Sequence, residues 1–277
     1  MKAVRAPAAL RFGARAGLAA PARTHGWRWA LLGALIGAFL TLALFAPARW
    51  LASGIGYATQ GRLLLLHPRG TVWNGSAGVV FASGAGGAES ISLPGTLDWQ
   101  LRPRWNGAAA TLTLPCCAAR PLGVVASPAR GGLRLAWQDG QSRWPAAMLT
   151  GFGAPFNTLK PDGVLELSTQ AFTMQWHGPL VELAGRATLD ATDISSSLST
   201  LKPMGSYRVT LEGGPSPTLL VATREGALQL SGSGRWTGRA LRFNGEASAA
   251  PGREEALSNL LNIIGRRQGG RSLITLG

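Results

Sequence analysis

From about Gly70 onward the sequence advances in short runs of apolar or alternating residues, each broken within a few positions by Gly, Pro or Asn. Runs this short suit strands and are too brief for stable helices. In "GTLDWQL" (Gly95–Leu101), Leu97, Trp99 and Leu101 fall on one face and Thr96, Asp98 and Gln100 on the other. "TLTL" (Thr111–Leu114), "GLRLAW" (Gly132–Trp137), "GVLELS" (Gly163–Ser168), "AFTMQW" (Ala171–Trp176) and "VELAGRATLDA" (Val181–Ala191) continue in kind. "YRVTLE" (Tyr207–Glu212), "TLLVAT" (Thr218–Thr223), "ALQLSGSGRW" (Ala227–Trp236) and "ALRFNGEASA" (Ala240–Ala249) follow. Tight turns between successive strands favour pairing with the predecessor, which makes an antiparallel meander. The 38 Gly and 17 Pro residues and a charged fraction of only 14% agree with a β-rich chain. The first hairpin is expected in "RGTVWNGSAG" (Arg69–Gly78), with Thr71–Trp73 entering a turn on Asn74-Gly75 and Val79–Ala82 returning. Gly84–Gly87 reads as a flexible loop, and "LLLL" (Leu63–Leu66) as a buried strand.

One helix stands against this background. After Pro251-Gly252, Glu254 and Glu255 place negative charge where a first turn favours it. Leu257, Leu260, Leu261 and Ile264 form one apolar stripe. Gly265 is the expected C-cap, followed by Arg266-Arg267 at the negative end. "SLITL" (Ser272–Leu276) supplies a last strand, and Trp144–Phe152, opened by Pro145, is a second helix candidate. The succession Gly163–Ser168, Ala171–Trp176 resembles Ala227–Ser233, Gly234–Trp236, a faint hint of two similar halves.

Ahead of the β region, Trp29–Ala46 ("WALLGALIGAFLTLALFA") carries no charge and is long enough to cross about 30 Å of hydrocarbon as a helix. Lys2, Arg5, Arg11, Arg15, Arg23 and Arg28 precede it with no acidic residue among them, which holds the N-terminus in the cytoplasm. Trp27, Trp29, Trp50 and Tyr57 flank the run, where amphipathic rings favour the interface. A cleaved signal peptide is the competing reading; Pro47 after Ala46 impedes that cut. The expected organisation is a basic cytoplasmic tail (1–28), an anchor (29–46), a connector (47–69) and a periplasmic β domain (70–277).

The formal charge of +14 does not point to nucleic acid. Nine basic residues lie before Glu89, the first acid, and the excess over the rest of the chain is modest. Chemistry-bearing patterns are sparse. The three histidines, His25, His67 and His177, show no metal-ligand spacing, and no nucleophile elbow, P-loop or dinucleotide fingerprint occurs. Glu182, Asp190 and Asp193 could be drawn as a carboxylate cluster but fit an exposed strand and its turn better. No catalytic, cofactor-binding or metal residue is therefore nominated. Cys116 and Cys117 are adjacent, with Cα atoms about 3.8 Å apart, below the usual range for a bridge. A vicinal disulfide, a buried pair and an intermolecular bridge all stay open.

The ordered set "GTVWNGSA" (Gly70–Ala77), "LPGTLDWQLRP" (Leu93–Pro103), "LKPMGSYRVTL" (Leu201–Leu211), "GALQLSGSGRW" (Gly226–Trp236) and "LRFNGEASAAPGREEALSNLLNIIGRR" (Leu241–Arg267) resembles the type II secretion system protein N family. The long Arg/Ala-rich tail and the cysteine pair depart from that pattern. The resemblance implies a non-enzymatic, single-span protein of the bacterial inner membrane whose periplasmic domain is a strongly curved antiparallel sheet or partly open barrel. It implies contacts with other secretion subunits, the inner-membrane platform and possibly the secretin, and no cofactor, nucleic acid or small-molecule substrate. An anchored periplasmic lipid-handling protein with an apolar β groove is the alternative.

Overall fold

A computed structural model describes residues 26–82, 84, 90–153 and 155–277. The basic tail before Gly26, His25 with it, and residues 85–87 of the expected loop fall outside the described residues. Helix α1 (Gly26–Leu44) contains 19 residues, about 28 Å at 1.5 Å per residue, and its side chains are exposed. It is long and apolar enough to cross a membrane. It ends earlier than the apolar run, because Ala46 and Pro47 belong to the compact unit that extends from Leu44 to Gly277.

That unit opens with α2 (Ala48–Ala58) and continues through β1 (Leu63–Gly70), β2 (Asn74–Ala82), β3 (Ser90–Ser92), β4 (Leu97–Arg104), β5 (Gly107–Thr113), β6 (Leu122–Ala129), β7 (Gly132–Trp137) and β8 (Gly140–Pro145). A 3-10 helix (Ala146–Phe152) and α3 (Phe156–Leu159) lead into the two longest strands, β9 (Asp162–His177) and β10 (Leu180–Ser195). Then come β11 (Gly205–Glu212), β12 (Thr218–Gly226), β13 (Leu228–Trp236), β14 (Leu241–Ala249), α4 (Glu254–Ile264), β15 (Arg266–Gln268) and β16 (Arg271–Leu276). All the described strands join one antiparallel sheet in nearly sequential order, β1-β2-β4-β5-β6-β7-β9-β10-β11-β12-β13-β14-β16-β15, with β3 beside β2 and β8 beside β9. The expected meander is present and the sheet does not close on itself. It starts at Leu63, inside the stretch expected to be a connector.

The first hairpin is shifted from its expected position. Asn74 and Gly75 lie in β2, with Gly75 opposite Gly70, and the turn is Thr71–Trp73. Trp99 sets this shift. Only 2% exposed, it packs its ring where a Cβ on Gly75 would stand, 2.6 Å from that position, and its indole N–H donates to the Val72 carbonyl at 3.0 Å. The turn also receives the chain leaving α1, since Val72 N–H donates to the Ala46 carbonyl at 2.8 Å and Thr71 bridges Pro47.

The runs Gly163–Ser168 and Ala171–Trp176 form a single strand, β9, bent at a bulge where Gly185 of β10 faces Ala171 and Phe172. Ala171 (φ 46°) and Gly185 (φ 79°) both take left-handed backbone, and a Cβ on Gly185 would stand 2.2 Å from the Ala171 carbonyl oxygen. Ala171 N–H is satisfied by the Asp139 carboxylate at 2.5 Å. Before the bulge β9 pairs with β8; after it, with β7. The segments whose sequences resemble each other are thus two single strands, β9 and β13, and mark no division into halves.

Two hydrophobic cores result. One gathers Leu165, Tyr207, Leu228 and Ala247 beneath Leu257, Leu260 and Leu261 of α4. The other gathers Leu65, Val79, Trp99 and Leu114 near α2. Trp144 touches both. The stripe on α4 is as the sequence predicts, but Gly265 is extended (φ −172°) and is no left-handed cap. Its missing Cβ instead lets β16 approach, for such an atom would stand 2.4 Å from the Leu273 carbonyl. Arg266 and Arg267 consequently sit in β15, and the buried Ser272 hydroxyl donates to the Leu261 carbonyl at 2.7 Å. The helix candidate over Trp144–Phe152 is a 3-10 helix at Ala146–Phe152, with Trp144 and Pro145 kept in β8.

Gly185→Ala is expected to lower the thermal midpoint of the full chain by at least about 2–4 °C, because it loads a left-handed position and pushes against the Ala171 carbonyl. Thermal unfolding in detergent followed by circular dichroism checks this.

Candidate functional site

Alternation puts one face of every long strand inward, and the inward faces converge on two apolar cavities. The first, of about 380 Å³, is lined by Leu63 of β1, Val79 of β2, Leu112 of β5, Trp137 of β7, Trp144 of β8 and Leu167 of β9, among others. On a flat sheet β1 and β9 would stand six strands apart, roughly 29 Å at 4.8 Å per strand. Both line one small cavity, so the sheet is strongly curled. The second cavity, of about 450 Å³, lies over β9 to β16, with Leu260 and Ile264 of α4 and Phe156 and Leu159 of α3 in its wall. Leu165 lines the second cavity and Leu167, two residues on along β9, the first. Both spaces open to solvent and are walled almost wholly by apolar side chains, which makes them the most distinctive feature of the face.

Tyr207 belongs to the second cavity. It is 5% exposed, its hydroxyl has no hydrogen-bond partner, and burial pushes its phenol pKa well up. Room for the ring comes from Gly205, whose Cβ would stand 2.9 Å from the phenol oxygen. Sequence alone shows "YRVTLE" as a strand with Tyr207, Val209 and Leu211 on one face; it does not show that the hydroxyl is left unpaired.

The carboxylates weighed from sequence do not assemble. Glu182 and Asp190 are eight residues apart on β10, about 26 Å along an extended strand. Asp190 accepts two hydrogen bonds from its cross-strand neighbour Arg208, at 2.6 and 2.8 Å, with Arg224 at 3.6 Å. The hydrogen bond from Arg208 holds the Asp190 carboxyl below the usual carboxylate range, against a smaller upward push from burial. Asp193 lies at a bulge in left-handed backbone (φ 54°). His67 occupies an irregularity in β1, and His177 is hydrogen-bonded to Gln175 at 2.8 Å with Glu182 at 3.6 Å. Among the described residues no three His, Cys, Asp or Glu side chains gather as a metal site would need. Cys116 and Cys117 are joined as a vicinal disulfide, Cys116 exposed and Cys117 buried in the core near α2. Arg143 N–H of β8 donates to the Cys117 carbonyl at 2.6 Å, so this loop closes against the edge of β8.

An open antiparallel sheet curled over two apolar cavities, with cross-strand ion pairs such as Arg186–Glu212 and Arg208–Asp190 on its strands, defines a β-scaffold protein. The chain belongs to the type II secretion system protein N family, whose model matches residues 61–274, from just before β1 into β16. It is thereby a type II secretion component, and the family is a secretion family with interactions among the components of that system. No curated protein and no solved structure matches the chain.

Because its folded pKa is depressed, Asp190 contributes stability above about pH 4 that is lost as pH falls through the depressed value. Asp190→Asn is therefore expected to be less stable than wild type at pH 7 and to lose less stability between about pH 5 and 2. Thermal midpoints across that range test it.

Proposed function

We propose that the protein is a non-enzymatic component of the type II secretion system, held in the bacterial inner membrane by α1 with its N-terminus in the cytoplasm. The sheet unit then lies in the periplasm and supports assembly and subunit contacts during export of folded proteins. The observation that carries this reading is the family match over residues 61–274. The basic run before α1 and the apolar length of that helix support the anchoring and its orientation.

The open sheet supports a mode of contact. At one end β1 carries Pro68 and a register irregularity, both of which discourage further strand pairing. At the other end β15 covers only Arg271–Leu273 of β16. Ile274–Leu276 pairs with β14 on one side and faces no described strand on the other. This edge lacks charge and proline, and Leu276 is 56% exposed. A partner strand adding alongside it would gain backbone hydrogen bonds and extend the line of β15.

An in-frame deletion is expected to trap a secreted enzyme in the periplasm, with export restored by the intact gene and not by one lacking residues 70–277. Normal export in the deletion strain would overturn the reading. Leu276→Glu, an exposed substitution expected to move stability by no more than about 0.5 kcal/mol, should reduce export by charging the free edge. Full export with that variant would rule the edge out as the contact.

A further inference from the structure

The end of the sheet at which the chain leaves α1 differs in charge from the opposite end. Ala46 and Pro47 are held there by Val72 and Thr71. Leu44, the last residue of α1, is at most about 7 Å of chain away from Ala46. Helix α2 begins at this end and finishes beside Leu63, at the far end of β1. Neighbouring hairpins reach past the Thr71–Trp73 turn. Gln100 is level with Asn74, so β4 continues four residues further to Arg104, about 13 Å, before Trp105 and Asn106 turn it back. Ala126 of β6 is level with Ala108 of β5, and β6 runs on to the turn at Arg130-Gly131.

Six exposed arginines lie at this end: Arg49, Arg69, Arg102, Arg104, Arg130 and Arg134. None of them makes an ion pair with a described carboxylate, whereas Arg186, Arg208 and Arg271 elsewhere in the sheet do. Asp98 is the one acid among the described residues from Leu63 to Trp137. Asp139, Asp162, Asp193 and Glu225 lie toward the opposite end of the sheet. At the outermost point of the basic end, Trp105 is 99% exposed.

An uncovered indole among unpaired guanidiniums suits the boundary of an anionic bilayer. Indole rings favour the head-group level, and guanidiniums bind phosphate through two parallel hydrogen bonds. An acidic protein surface would attract the same arginines. The two residues between Leu44 and Ala46 keep the bilayer permanently within reach of this end, an advantage that a diffusing protein lacks.

We propose that the basic end of the sheet rests on the anionic phospholipid surface, with Arg102 and Arg104 on phosphates and the Trp105 ring among the head groups. This contact rests on the reading of α1 as the membrane anchor.

The test uses the full chain in vesicles of phosphatidylcholine, with and without phosphatidylglycerol, and a nitroxide on the lipid head group as quencher. Asn106→Cys carries a polarity-sensitive fluorophore at the hairpin tip; Cys116 and Cys117 are joined, so the new thiol is the one labelled. Gly37→Cys reports α1, and Thr158→Cys, exposed ahead of β9, reports the opposite end. The Asn106→Cys label is expected to be quenched in the phosphatidylglycerol vesicles and to lose that quenching as salt rises, while the Thr158→Cys label stays in water. Arg102→Gln with Arg104→Gln should weaken the contact of the tip at least about tenfold, as two charges at an anionic surface imply, and leave the thermal midpoint in place. A tip label left in water in phosphatidylglycerol vesicles would overturn the contact and assign the arginines to an acidic protein partner. Quenching unchanged in the double variant would overturn it as well. The Gly37→Cys label judges the anchor separately. If it reads water while the tip is quenched, the surface contact holds and the anchoring reading fails; if both read water, both fail.

Discussion

The change of partner along β9 turns on one bulge. At Ala171 and Gly185, β9 and β10 exchange ordinary pairing for a bend, and the strand beside β9 changes from β8 to β7. The bend has one stereochemical requirement, a residue without Cβ at position 185, and one electrostatic requirement, an acceptor for the Ala171 N–H. Asp139 supplies the acceptor from the connection between β7 and β8. The same connection that lets β8 branch away from β7 therefore pins the strand it branches onto. With β9 redirected, the residues before the bulge face both cavities and serve both cores, and Trp144 of β8 spans the boundary between them.

The arrangement of cores follows from length. A curled sheet of this many strands encloses more space than one layer of Leu and Val side chains can fill. The chain covers it with short helices: α2 near the first core, α3 and α4 over the second. Two covers over a wide floor leave gaps, and the gaps fall where inward residues are aliphatic. The deepest burial is reached at Trp99 and at Leu257, Leu260 and Leu261. The walls of both spaces are mainly aliphatic, with a few polar side chains such as Gln138 and Ser142 in the first and Ser195 and Ser196 in the second.

Much of the architecture is legible in the sequence, because period-two alternation and turn residues act locally. The strands at Gly132–Trp137, Leu228–Trp236 and Leu241–Ala249 and the stripe on α4 are read almost to their ends. What fails is decided by distant partners. Asn74-Gly75 carries a strong turn signal, yet Trp99, far along the chain, needs the space above Gly75 and draws it into a strand. Gly265 reads as a cap until β16 is known to pass over it. Residues 163–176 read as two strands because the Asp139 carboxylate that stabilises their joint lies 32 positions from Ala171. The cavities are less legible still. Alternation marks which residues face inward, and only the curl of the whole sheet determines whether anything fills the space before them. Tyr207 shows this well: its position on the inward face is readable, and the lack of a partner for its hydroxyl depends on what the neighbouring strands bring close to it.

The junction at Ala46 and Pro47 has a mechanical meaning. Both residues are fastened to the turn at Thr71 and Val72, and that turn is fastened in its own right to the indole of Trp99 and, through the Trp73 carbonyl, to Leu101 N–H. A pull on the chain at Leu44 is therefore shared at once by three strands of the sheet and its most deeply buried aromatic ring. Strands peeled one bond at a time yield at low force, whereas bonds loaded together resist in parallel. Within the sheet unit, Ala46 and Pro47 are thus riveted to the rim at Thr71 and Val72, and a load entering at Leu44 would meet those bonds before β1 could unzip.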